Sequence, residues 1–151
     1  MERRERSTME QRLAGFEGIR PAGFVTPPRF DDIIRQEEPP AIDPWWWVFL
    51  FHDLSEFWSR TIKEQYPART PLVPFAKHGF TDDVFCFDGS DTSGNPRVYI
   101  IHTFTDPGYE DRGYWDNFDV FMEAAEEEHA EWLREEEEFS RSQQEENTLD
   151  E

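Results

Sequence analysis

Residues 84–104 read VFCFDGSDTSGNPRVYIIHTF, and this stretch decides the fold. In Val84 to Phe87 the pair Phe85 and Phe87 alternates with Val84 and Cys86, so both faces are apolar, as in a strand covered on two sides. Gly89 to Pro96 is built of turn-forming and polar residues. From Arg97 the alternation resumes, with Val98, Ile100, His102 and Phe104 opposite Tyr99, Ile101 and Thr103. Two such runs around one turn segment predict an antiparallel hairpin in the middle of a sheet.

Toward the N-terminus, Leu72 to Ala76 is a second apolar run. Pro74 cannot donate to a ladder, which predicts an edge or bulged strand with partial pairing. Trp45 to Phe51, WWWVFLF, has the length and texture of a buried strand. Alternation there puts Trp45 and Trp47 on one face and Trp46 on the other, making Trp46 a candidate surface anchor. Asp53, with Glu56 three residues on, offers an N-cap. Leu54, Phe57, Trp58, Thr61, Ile62 and Tyr66 then recur at helical spacing until Pro67, predicting an amphipathic helix.

Toward the C-terminus, Thr105 to Trp115 reads as a polar loop. Asp116 or Asn117 then caps a helix with Phe118, Phe121, Met122, Ala125, His129, Trp132 and Phe139 on one stripe. The stripe thins after Trp132, where Glu135 to Glu138 begin, so the helix is expected to leave the core there and residues 140–151 to be mobile. In residues 1–40, Thr8-x-x-Gln11 is a capping box for a short helix from Met9 to Phe16. Gly15, Gly18, Pro21, Gly23, Pro27 and Pro28 predict an arm or irregular wrapping segment, which Phe24, Val25, Phe30, Ile33 and Ile34 can pin to the core. The order β-α-β-β-β-α defines an α+β domain, with a mixed, mainly antiparallel sheet of about four to six strands packed against helices. The expected division is an N-terminal arm at 1–40, the domain at 41–134 and an acidic helix end and tail at 135–151.

A chain of 151 residues fits one domain. Its 34 acidic and 15 basic side chains give a formal charge of -19, which repels nucleic acid and anionic membranes and selects a basic protein partner. The excess is uneven, since residues 123–151 hold 13 acids and two bases. No apolar run reaches the ~18 residues of a transmembrane helix, and nothing like a signal peptide follows Met1. The single cysteine, Cys86, excludes an internal disulfide, and a cytoplasmic location is expected.

Carboxylates and imidazole can ligate a divalent cation, which draws attention to Asp82, Asp83, Asp88, Asp91 and His102. Asp82 and Asp83 are adjacent, however, and point to opposite faces of a strand, while Asp91 sits in a turn where Asp is ordinary. His102 reads as a hydrogen-bonded, half-buried side chain, and Cys86 as inert packing. No nucleotide-binding glycine motif and no Gly-x-Ser-x-Gly elbow is present, so neither metal nor cofactor is expected.

PFAKHGFTDDVFCFDG at 74–89, RVYIIHTFTDPGYEDRG at 97–113 and the helix start Trp115-x-x-Phe118-x-x-Phe121 together resemble the SUKH superfamily, the killer-toxin-resistance and cell-wall-synthesis-regulator type of domain. The matching positions are Asp82, Asp83, Cys86, Phe87, Asp88, Val98, His102 and Phe118. Thr103 departs from the acidic residue that often follows the His, and residues 1–40 lack the Leu-Pro signature of the family's first helix. The resemblance implies a mixed-sheet α+β domain without known enzymatic activity. Bacterial members mostly bind and silence toxins, many of them nucleases; eukaryotic and viral members are regulatory or scaffolding proteins.

The expectation is therefore a non-catalytic immunity protein that occludes the basic surface of a toxin domain. The alternatives are a regulatory scaffold of the same fold, or a metal-dependent hydrolase using Asp82, Asp83, Asp88 and His102. Candidate partner-binding residues are Trp46, the pair Asp82 and Asp83, the loop residues Asp106, Tyr109, Glu110 and Asp111, and the helix residues Glu126, Glu127 and Glu128. An acidic inhibitor steers to a basic target and gains association rate and specificity from the match.

Overall fold

The 84–104 hairpin forms as expected: β3 (Asp83–Asp88) pairs antiparallel with β4 (Val98–His102), with Phe87 opposite Val98 and Asp83 opposite His102. The computed structural model describes residues 5–149, and the outermost residues of the expected arm and tail lie outside the described residues. Around the hairpin, β1 (Trp45–Trp47), β2 (Leu72–His78) and β5 (Asp111–Trp115) complete a five-stranded antiparallel meander in the order β1-β2-β3-β4-β5. With helices α1 (Met9–Ile19), α2 (Pro28–Ile34), α3 (His52–Gln65) and α4 (Phe118–Leu149), the fold is α+β.

Strand alternation sorts the core into two layers. Trp45, Trp47, Val73, Phe75, Phe85, Phe87 and Val98 face α2 and α4, meeting Phe30, Ile33, Ile34, Phe118, Phe121, Met122 and Ala125. Val84, Cys86 and Ile101 face the other way, onto Trp58 and Ile62 of α3 and onto Tyr66. Both faces of β3 are thus covered, which is why its run is continuously apolar. At the hairpin turn, the Gly89 N–H donates to the Pro71 carbonyl at 2.7 Å, and a Cβ there would lie 2.7 Å from that oxygen, so glycine is required.

Several elements differ from the sequence reading. The run from Trp45 is a strand for three residues only; Val48–Leu50 form a 3₁₀ turn that buries all three side chains. β2, expected as an edge or bulged strand with partial pairing, is internal and takes the bulged form, with its register against β3 shifting between Pro74 and Ala76. It tolerates Pro74 because β1 reaches only Ala76 to His78, leaving no ladder bond for Pro74 to miss on that side. The expected polar loop at Thr105 to Trp115 contains β5, paired with β4 across a bulge at Tyr99 and Ile101, with Gly113 at φ 108°.

The N-terminal segment wraps the sheet, and it does so as two helices rather than irregular chain. The Thr8–Gln11 capping box opens α1 as expected. Pro28 opens α2 at a position where a missing N–H costs nothing. Phe30 is the hub of the larger core layer, with ring contacts to Phe16, Trp47, Phe49, Phe75, Phe87 and Phe118 at centroid distances of 5.0 to 6.5 Å. The buried Arg12 Nη1 donates to the Ile34 and Gln36 carbonyls at 3.0 and 2.6 Å, a cation at the C-terminal end of α2. The cap of α3 also comes from here. Ser7 Oγ, not Asp53, accepts the His52 N–H at 2.6 Å, and the Ser7 N–H donates to Leu50 O at 2.8 Å.

Asn117 Oδ1 caps α4, accepting the Val120 N–H at 2.9 Å. The helix leaves the core after Trp132 as its stripe predicts, but residues 140–149 continue it instead of loosening. Beyond Trp132 it extends about 25 Å, at 1.5 Å per residue, into solvent.

Candidate functional site

Register places one end of the sheet at His78, Asp83, His102 and Asp111, with Asp83 opposite His102 and Asp111 opposite Ile101. The β2–β3 connection and the β4–β5 connection therefore lie side by side. Thr103 stitches them, its N–H and Oγ1 both donating to the Asp82 carbonyl at 3.0 and 2.8 Å. Tyr66 secures the second connection from below. Its hydroxyl donates to the Thr105 carbonyl at 2.9 Å and accepts the Thr105 N–H at 3.2 Å. Gln65 Oε1 accepts the Phe104 N–H at 2.8 Å.

Six of the candidate residues meet at this end. Asp82, Asp106, Tyr109 and Asp111 are exposed. Asp83 is half-buried, with Oδ1 on His102 Nδ1 at 2.8 Å and Oδ2 accepting from Thr81 Oγ1 at 3.0 Å. Glu110, expected among the loop's partner-binding residues, turns inward instead and is 6% exposed. Its carboxylate accepts the Gly108 N–H at 2.8 Å and pairs with Arg69 Nη1 at 3.3 Å, and its carbonyl accepts the His102 N–H at 2.8 Å. These bonds tie Gly108, Arg69 and His102 to one residue, so Glu110 organises the loop from within.

The other candidates lie apart. Trp46 is half-buried on the edge strand β1, edge-on to Phe51 at 6.2 Å, and lines a groove of about 350 Å³ with Glu38, Pro39, Pro40 and Asp43. Glu126, Glu127 and Glu128 sit on α4 just past the last buried turn. Glu126 pairs with Arg29 Nη2 at 3.1 Å, while Glu127 and Glu128 are exposed. α4 runs toward the Asp83–His102 end, because Phe118 packs on Phe87 and His129 Nδ1 lies 2.9 Å from the Asp43 carbonyl, two residues before β1. The acid-rich extension and the two connections thus share one end of the molecule.

Sequence reasoning missed two residues here. Phe104 was expected to continue β4 on the face of Val98, Ile100 and His102, but the strand stops at His102, and Phe104 takes φ 61° with its ring 61% exposed. Phe80, in the β2–β3 turn, is 81% exposed. The available signal was an aromatic residue inside each turn segment, Gly79-Phe80-Thr81 and Phe104-Thr105-Asp106-Pro107.

Chemically, the end is acidic. Residues 79–83 and 103–111 carry five carboxylates and neither Lys nor Arg. The nearest amine, Lys77, is occupied, with Nζ donating to Thr81 O at 2.7 Å and lying over the Trp58 ring. Burial lowers its pKa, against the pull of Asp82 and Asp83. The carboxylates do not converge as a metal site. Asp83 and Asp88 are five residues apart on one strand, about 17 Å at ~3.3 Å per residue, and Asp88 Oδ1 is taken by the Ser90 N–H and Oγ. Among the described residues no group of three His, Cys, Asp or Glu side chains is placed to hold a metal ion. Cys86 is fully buried beneath α3, and burial pushes its thiol far above the ordinary range. No helix among the described residues is long and apolar enough to cross a membrane.

Comparison with protein-family models, with curated proteins and with solved structures gives no match to this chain.

Proposed function

We propose that this chain is a non-catalytic immunity protein that binds a basic toxin domain and silences it by covering its cationic surface. The observation that carries the reading is the extension of α4. Residues 126–149 hold ten glutamates against two arginines, and residues 133–148 are exposed all round. Glu127, Glu131 and Glu135 are like-charge neighbours at i,i+4, an arrangement that weakens an isolated helix. Such a rod adds nothing to the core, whereas a cationic partner would relieve its self-repulsion. The acidic connections at the same end enlarge the face. The toxin assignment follows from the SUKH resemblance of residues 74–121, and the antiparallel sheet with flanking helices is compatible with it.

The test is co-expression with the product of the adjacent gene and capture at low and high salt. A basic toxin domain whose activity falls to zero at one-to-one stoichiometry supports the reading, as does weakening of that complex when Glu126, Glu127 and Glu128 are reversed to lysine. Undiminished toxin activity at excess of this protein overturns it.

A further inference from the structure

We propose that the β2–β3 and β4–β5 connections form the anchor of the interface, and that the anchor takes a protein segment rich in lysine and arginine. This rests on the binding-protein reading above and assigns it a place other than the glutamate rod. Phe80, Tyr109 and Phe104 are 81%, 71% and 61% exposed, three of the four most exposed large apolar side chains among the described residues. All three lie on two short connections that Thr103 ties together. Rings left mostly in water gain little for the fold beyond single edge contacts, Phe104 on Trp58 and Phe80 on His78, and aromatic anchors dominate protein interfaces.

Charge selects the occupant. The two connections with the flanking strand residues Asp83 and Asp111 contain five acids and neither Lys nor Arg, the next base being Arg112, and the exposed acids Asp82, Asp106 and Asp111 lie within two residues of Phe80, Phe104 or Tyr109 in the chain. A guanidinium or ammonium group satisfies both features, stacking on a ring face while pairing with a carboxylate. A second copy of this chain would set identical acids against each other. The surface is also held ready: Gln65 and Tyr66 fix the loop backbone, and Trp58 supports Phe104 at 6.1 Å between ring centroids.

The experiment uses the full chain, isotope-labelled for NMR, titrated with an arginine-rich peptide of about twelve residues at about 0.15 M salt. A glutamate-rich peptide of equal length and neutral phosphatidylcholine vesicles serve as controls. Amide shifts should concentrate in residues 79–83 and 102–111, and affinity should fall about tenfold in Phe104→Asn and in Phe80→Ser. Phe104→Asn removes the ring at a backbone angle that Asn adopts readily, so it keeps the fold while losing the anchor. Shifts centred on the α4 glutamates or spread without focus, unchanged affinity in both variants, or equal binding of either control would overturn the proposal. The two readings fail separately. A toxin silenced equally well by wild type and Phe104→Asn removes the anchor and leaves the immunity reading standing. A toxin untouched by wild type removes the immunity reading, while the peptide map still decides the anchor.

Discussion

Replacing Phe30 with alanine should cost about 4 kcal/mol of stability. Phe30 is fully buried and touches six other rings, drawn from α1, β1, the 3₁₀ turn, β2, β3 and α4. A buried phenylalanine removes roughly 200 Å² from water, worth about 5 kcal/mol at ~25 cal/mol per Å². Residual burial in the unfolded chain lowers that figure, and the cavity left among rings that cannot all collapse raises it. For a domain of this size the loss corresponds to a fall in Tm of roughly 8 to 16 °C. Urea unfolding followed by tryptophan fluorescence and by far-UV circular dichroism measures it, with the midpoint falling and the slope unchanged. A loss below about 1 kcal/mol would refute the reasoning, because α2 would then be a docked appendage rather than the centre of the core.

Ser7→Ala should cost about 1 kcal/mol by removing the oxygen that accepts the first N–H of α3, measurable by chemical denaturation. Glu110→Gln should cost about 2 to 3 kcal/mol, since it leaves the largely buried Arg69 guanidinium without its counter-charge; amide exchange at residues 102–110 should accelerate with it. Cys86 makes stability fall with rising pH. The unfolded thiol ionises near ~8.5 while the buried one stays protonated, so above that pH unfolding releases a proton and stability drops by about 1.4 kcal/mol per pH unit. Denaturation of wild type and Cys86→Ala at pH values on either side of about 8.5 should show this slope as the difference between the two proteins.

The hairpin was legible because its signal is local: two alternating runs and a turn made of turn formers. The C-terminal helix was legible as far as Phe139 from its stripe, but its continuation to Leu149 was not, because residues 140–149 have too few apolar groups to signal order. Phe30 was legible as a pin but not as a hub, because α2 has seven residues, too few for periodicity, and Pro27-Pro28 reads as a break although proline is at home in a first turn. β5 was hidden because Asp111-Arg-Gly-Tyr-Trp115 has no apolar alternation; its pairing is set by the bulge in its contact with β4 and by Gly113. The α3 cap sits 45 residues from the helix it serves, and Arg69 lies 41 residues from Glu110, separations that no local pattern reports. Phe104 was misplaced because alternation does not say where a strand stops.

The truncation of β1 bears on how the protein behaves when it is perturbed. Trp45 to Phe51 contains no charge and no proline, the composition of a segment that stacks with copies of itself. As a full-length edge strand it would offer a long unsatisfied template to other molecules. Here three residues pair, the next three coil away with their side chains buried, and Pro44 and Asp53 stand close at either side. That arrangement hides the run only while the sheet is intact. Variants that loosen the core should therefore be lost to precipitation before they accumulate as soluble unfolded chains, and their recovery on expression will track how well this heptad stays folded away.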